Sequence, residues 1–285
     1  MNIRKSIAGI ACLIALANCG SSDETPMAAL PPPAPEPAVD PITVNAGTPT
    51  LLTIGGTQAN PTFTVDGRLY SRAALNPNIN LGLFAESKFV KQDYSSGPHF
   101  LIGRTNGGYV AVGAHEFLTN KTAVVFSRTA PTQLITSASA QYEGDYAGLI
   151  TERNILSTTD DVNHLVTGDV SLTANFDASI ISGTITNRVV SDSRTGVAAP
   201  SYSAGDVTLV TSTIGADGVF SAASGGGALT IAGDSNGNGI GTYSGAFVGP
   251  NSDAVIGSVT LTMNPGAHYP QQGGLETGAF IADKQ

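Results

Sequence analysis

The side chains that could do chemistry are few and widely spaced. In "DSNGNGIGTYSG" (Asp234 to Gly245), Asp234, Asn236, Asn238 and Gly239 stand at the first, third, fifth and sixth places of a calcium-loop pattern. There, oxygen ligands and a sharp glycine turn would hold a divalent cation. The twelfth place is Gly245, where the pattern needs a bidentate glutamate. Asp234, Asn236 and Asn238 are therefore a weak calcium candidate inside a stretch whose composition is that of any long polar turn. Asp160-Asp161 is a weaker acidic pair, read as solvated loop. The four histidines, His99, His115, His164 and His268, show no i,i+4 spacing. A folded sheet could bring two together, and histidine with tyrosine can hold haem iron, but no pair is singled out. Gly241-Thr-Tyr-Ser-Gly245 has its serine one place off the Gly-x-Ser-x-Gly elbow of a hydrolase nucleophile. No phosphate-binding loop and no basic stripe is visible. The expectation is a protein that is not an enzyme, with no catalytic residue and no cofactor assigned.

Both cysteines lie near the start, at Cys12 and Cys19, so the rest of the chain has no disulfide framework or thiolate metal site. "MNIRKSIAGIACLIALANCGSSDE" opens with Arg4 and Lys5, continues with an apolar run from Ile7 to Ala17 that is too short to span a bilayer, and ends at "LANC". This resembles a bacterial lipoprotein signal, with Leu16 and Ala17 on pattern and Asn18 off it. The resemblance makes residues 1–18 a signal peptide and Cys19 the lipid attachment site, palmitate included; an ordinary secretory signal cut elsewhere is the alternative. Cys12, inside the apolar run, reads as a small hydrophobe. Residues 19–41 form a Pro-rich tether, in which about twenty residues at roughly 3 Å each could hold the folded part some 60 Å from its anchor. Gly20 after Cys19 leaves no aspartate of the kind that retains lipoproteins in the inner membrane, so the expected location is the outer membrane, lipid-anchored and surface-exposed.

What these residues are mounted on is a β-rich chain. Of 285 residues, 34 are glycine and none is tryptophan; 41% are hydrophobic and 12% charged, which allows a real core with little helical patterning. The net charge is −9, and loss of the first eighteen residues takes it to −11, which disfavours nucleic acid or an anionic surface as a partner.

Strand signals begin near Pro41 and fall into two blocks. In the first, 42–136, Asp66-Gly67 and Asn106-Gly107 each sit between apolar runs as hairpin turns, "TAVVFS" adds a strand, and a short helical turn is expected around Phe84 to Phe89. The second, 137–285, holds the clearest pattern, "GDVSLTANFDASIISGTITN". Val170, Leu172, Ala174 and Phe176 share one face and Asp169, Ser171, Thr173 and Asn175 the other; after a turn at Asp177, Ile181, Gly183 and Ile185 oppose Ser182, Thr184 and Thr186. Roughly eight strands with short connections predict a sandwich or an up-and-down barrel. A transmembrane barrel would show aromatic girdles, whereas this chain often has Ala, Ser or Gly where lipid would want Leu or Phe.

Together, "GDVSLTANFDASIISGTITN", "GTYSGAFVGPNSDAVIGSVTL" and the terminal "GLETGAFIADKQ" resemble the barrel domain of transferrin-binding protein B and related surface lipoproteins, among them the factor H-binding type. The residues carrying the resemblance are Phe176, Gly183, Gly245, Phe247, Gly249, Pro250 and Gly257; Asn175 and Ala254 depart from it, each standing where the family has an acidic residue. The resemblance implies an all-β fold, an eight-stranded antiparallel β-barrel over 137–285 with a smaller N-terminal β-rich, handle-like subdomain. It also implies a non-catalytic binding module. Iron or haem acquisition, with haem or an iron carrier as ligand, or binding of a host protein follows from the family, with a TonB-dependent receptor as a further partner. A structural or masking surface lipoprotein is the alternative, and an envelope hydrolase a more distant one. In a small barrel Gly245, Gly249 and Gly257 are read as shape residues, since glycine relieves curvature and close approach.

Overall fold

The alternation in "GDVSLTANFDASIISGTITN" is realised as an antiparallel hairpin, with Val170, Leu172, Ala174 and Phe176 buried and Asp169, Ser171 and Thr173 exposed. The computed structural model describes residues 38–48, 52–56, 61–65, 68–70, 89–93, 98–115, 122–152, 161–192, 197–198, 204–221, 228–231, 240–263 and 274–285. Every regular element among the described residues is a strand. In chain order these are β1 (Ala38–Val39), β2 (Ile42–Thr48), β3 (Leu52–Gly56), β4 (Pro61–Val65), β5 (Arg68–Tyr70), β6 (Phe89–Asp93), β7 (Pro98–Thr105), β8 (Gly108–His115), β9 (Thr122–Arg128) and β10 (Thr132–Gln133). They continue with β11 (Ser139–Glu152), β12 (Asp161–Asn175), β13 (Ile180–Asp192), β14 (Val207–Thr213), β15 (Val219–Ser221), β16 (Ala228–Ile231), β17 (Ile240–Val248), β18 (Ala254–Met263) and β19 (Gly274–Lys284).

Eight strands close a ring. Going round it, β11, β12, β13, β14, β16, β17, β18 and β19 each pair with the next, and β19 pairs back to β11, all antiparallel. The fold is thus the up-and-down barrel rather than the sandwich. β15 continues the stave of β16 along β17, but the chain advances nine residues, from Val219 to Ala228, against four on β17, from Ala246 to Thr242. That stave is interrupted.

Eight strands enclose a space that side chains alone can fill. Here Tyr142, Tyr146, Phe176, Phe220, Tyr243, Phe247 and Phe280 fill it together with Ile, Leu and Val from β11, β12, β13, β14 and β18. The rings touch in series: Phe176 to Phe247 at 5.2 Å between centroids, Tyr142 to Phe247 at 5.7 Å, and Phe220 to Phe247 and to Tyr243 at 6.0 Å each. Burial also raises the Tyr142 phenol above its ordinary range, with the charge of Asp253 adding to the effect, and pushes Tyr243 up to about 12.

The two glycines that break β17 and β18 face each other, Gly245 opposite Gly257. A Cβ on Gly257 would overlap the Phe280 ring and the Ser244 carbonyl; one on Gly245 would press on the Phe220 ring and sit 2.6 Å from the Ile256 carbonyl. Strand and ring share one volume.

In the first block, β2, β9, β8, β7 and β6 form a five-stranded antiparallel sheet in that order, and β3, β4 and β5 a separate three-stranded one. The larger sheet packs on the outside of the barrel: Phe89, Leu101, Val110, Val112, Val124 and Phe126 meet outward residues of the barrel wall such as Leu149, Ile256 and Ile281. Small outward side chains, Ala147, Ala246, Ala254 and Ala279, let the layers approach closely. The described residues, from Ala38 on, thereby pack as one unit. Asn106-Gly107 turns β7 into β8 with Gly107 at φ 80, and β4 pairs with β5 across 66–67. Residues 84–88 of the expected helical turn lie outside the described residues, and Phe89 begins β6.

Candidate functional site at the long-connection end of the barrel

The up-and-down order gives the barrel two unlike ends. At one end β12 turns into β13 at 176–179, β14 into β15 at 214–218, and β17 into β18 at 249–253. At the other, the strands leave for longer connections: 153–160, 193–206, 232–239 and 264–273. The interior differs in the same sense. Toward the short turns it is aromatic, whereas toward the long connections lie buried polar side chains, Arg188, Glu276 and His164.

Arg188 reaches the interior through a bulge. Thr186 and Val189 of β13 pair with Asp169 and Thr167 of β12, so β13 carries one extra residue there. Asn187 takes it up at φ 51, with its side-chain amide donating to Asp169 Oδ2 at 2.7 Å. Before the bulge Ile181 and Ile185 point inward; after it Arg188 and Val190 do. Without the extra residue Arg188 would continue the outer row of Ser182, Thr184 and Thr186.

Inside, Arg188 Nη2 donates to both oxygens of Glu276, with both side chains fully buried. Tyr146 donates its hydroxyl to Glu276 Oε1 at 2.5 Å, and the guanidinium lies 6.0 Å from the Tyr146 ring centroid. Arg188 Nη1 donates to the Gly205 carbonyl at 2.8 Å. The room comes from Gly148 and Gly278, paired across β11 and β19, where a Cβ on either would collide with the Tyr146 hydroxyl.

The short-turn end is sealed by a different set. Arg128, at the end of β9, donates to the carbonyls of Asp40 (2.8 and 2.5 Å), Asp217 (3.0 Å) and Phe247 (3.2 Å). Burial lowers the guanidinium's pKa from its usual value, and the charges of Asp217 and Asp40 oppose that. Thr132 donates to the Gly249 carbonyl, Ser252 to Gln133 O at 2.8 Å, and Tyr142 to Ser252 O at 3.0 Å. Arg128→Met should lower stability by about 2–3 kcal/mol, because the carbonyls of Asp40, Asp217 and Phe247 lose their donor, the last of them in a buried contact. A guanidinium chloride midpoint equal to wild type would show that those carbonyls find other partners.

Of the residues singled out in the sequence, Phe176 and Phe247 meet in the core. Gly183 lies on β13 against Ser171 O and Leu172, and Gly245 faces Gly257. Gly249, at φ 84, and Pro250 begin the β17–β18 turn, and Gly249 abuts Gly107 of the β7–β8 turn, whose Cβ would lie 2.9 Å from Gly249 N. Cys19, Asp234, Asn236, Asn238 and His268 lie outside the described residues. His164 shares the inward face of β12 with Val166, and His99 the barrel-facing side of β7 with Leu101, so the barrel wall stands between them. Among the described residues no group of three or more His, Cys, Asp or Glu is arranged to hold a metal.

No family model matches the chain, and no curated protein matches it. Its structure is similar to that of a single-site mutant of transferrin binding protein B from Haemophilus parasuis Hp5: TM-score 0.49, 11% identity, 86% of this chain and 45% of that one. Isotype 1 of transferrin binding protein B from serogroup B Neisseria meningitidis gives TM-score 0.45 and 17% identity, over 86% of this chain and 43% of that one. HpuA from Kingella denitrificans, solved in complex with human haemoglobin, gives TM-score 0.46 and 11% identity, over 87% and 88%. The chain spans less than half the length of the two transferrin binding proteins.

Proposed function

We propose that the chain is a lipid-anchored protein of the outer membrane, displayed at the cell surface, that works as a non-catalytic binding module for another macromolecule. The observation that supports this best is the filled barrel. Side chains from β11 to β15 and from β17 to β19 occupy the interior, so a partner has to meet the outside of the fold. The resemblance of the sequence to transferrin-binding protein B makes a host iron-carrying protein the partner class to test first, with a TonB-dependent receptor beside it in the membrane.

The chain enters the fold at the short-turn end. β1 pairs with β10, and Gln133 N–H donates to Pro250 O at 3.1 Å. The surface proposed to meet the partner is the opposite, long-connection end, since connections on a rigid scaffold are where binding residues concentrate.

Cys19→Ala should move the protein from the membrane to the soluble fraction, and unchanged fractionation would refute the anchor. Wild type on intact cells should be degraded by added proteinase K and should retain purified transferrin or haemoglobin. Resistance to the protease would refute display, and retention of neither protein would refute the host-carrier reading.

A further inference from the structure

We infer that the buried Arg188–Glu276–Tyr146 cluster is a positioning device that fixes the rim of the barrel at its long-connection end. The inference rests on the proposal that this rim presents the binding surface.

The cluster is an odd choice for holding a barrel together. A buried ion pair is a poor stabiliser, because removing two charges from water offsets most of their attraction, and well-packed apolar residues of similar size do as well. The neighbouring interior is built that way, from Ile150, Val166, Val190 and Leu261. Yet the chain inserts an extra residue in β13, holds Asn187 in the left-handed region and omits side chains at Gly148 and Gly278 to seat this one group.

The contacts show what is fixed. Glu276 is the third residue of β19, just inside the 264–273 connection. Arg188 holds the carbonyl of Gly205, two residues before β14 and at the base of the 193–206 connection. Tyr146 extends the cluster to β11, and Thr151, near the end of that strand, donates to Leu275 O at 3.3 Å. One set of directional bonds thus spans the rim ends of β11, β13, β14 and β19. Apolar contacts would fill the same volume without fixing where those strand ends sit, since they carry no direction.

The test is hydrogen–deuterium exchange on the full chain carrying Tyr146→Phe, Arg188→Met and Glu276→Leu together, which removes the whole cluster and leaves no buried charge behind. The denaturation midpoint should be unchanged or raised. Exchange at Thr151, Val162, Asp192 and Leu275 should rise about tenfold or more, while Ser179, Gly215, Gly218 and Ser252 at the other end keep wild-type rates. Arg188→Lys retains the charge opposite Glu276 but has a shorter reach, so its exchange should rise at 204–207 alone. A uniform rise with a lowered midpoint would overturn the inference by making the cluster a global stabiliser, and no change at the rim would overturn it by showing no positioning.

Retention of transferrin or haemoglobin on cells separates this from the binding proposal. If wild type retains neither, the binding proposal fails and the exchange result is judged alone. If wild type and the triple variant retain the protein equally, the inference fails while the binding proposal stands.

Discussion

Gly257→Ala is expected to lower the stability of the protein by about 2–4 kcal/mol, more than a single methyl usually costs on a strand. Gly257 sits on the inward face of β18, directly opposite Gly245 of β17. The added Cβ would overlap two things at once, the Phe280 ring on β19 and the Ser244 carbonyl of the paired strand. A ring can tilt, but it would tilt into a core already filled by Phe220, Tyr243 and Phe247. The carbonyl belongs to a ladder in which Ser244 is paired with Ser258 on one side and Ser221 on the other, so moving it disturbs both seams. Guanidinium chloride denaturation gives the measurement. Ser258→Ala, one residue along and on the outer face where its hydroxyl bonds Ser244 Oγ at 2.8 Å, is the control and should cost about 1 kcal/mol or less. Adding Phe280→Leu to Gly257→Ala should recover the part due to the ring and leave the part due to the backbone. A neutral Gly257→Ala would mean that the strands are not held as closely as this register requires.

The sequence reads those glycines as features of shape, a reading open to it because strand patterning is local. The inward row of Val170, Leu172, Ala174 and Phe176, and the turn after it, follow from a period of two over one hairpin. The polar cluster was not legible for the same reason. Carrying the period of two forward from Ile181 and Ile185 puts Asn187 and Val189 inside and Arg188 outside, the reverse of what is found. The one signal of the reversal is that position 187 is asparagine, a residue that tolerates left-handed backbone, and a single such residue does not by itself locate a bulge. Glu276 could have been placed inward by counting back from Phe280 through Gly278, but a lone carboxylate in an apolar core argues against its own assignment until the partner is known. The five-stranded sheet divides similarly. Asn106-Gly107 marks its central hairpin, whereas the pairing of β2 with β9 joins residues 74 to 86 positions apart and has no local sign.

The partner's identity is also what makes Glu276→Leu the most damaging single change expected at this end of the barrel. The substitution removes an acceptor of the Tyr146 hydroxyl and the Glu276 counter-charge of Arg188, leaving the guanidinium inside the barrel without that carboxylate. Breaking a buried pair from one side typically costs about 3–5 kcal/mol, because the charge left behind is not returned to water. Glu276→Gln keeps an acceptor without the charge and should cost less. Adding Arg188→Met to Glu276→Leu should recover most of the loss, so the two single changes are strongly non-additive and the double variant is more stable than either single one. Equal midpoints for wild type and Glu276→Leu would show that water reaches the pair and that the interior is open at this end. The combination of a large single effect and a small joint one is the signature of a group whose cost lies in being separated. It distinguishes a cluster retained for the geometry it imposes from one retained for the stability it adds, because a net stabiliser would leave the double variant as unstable as the single.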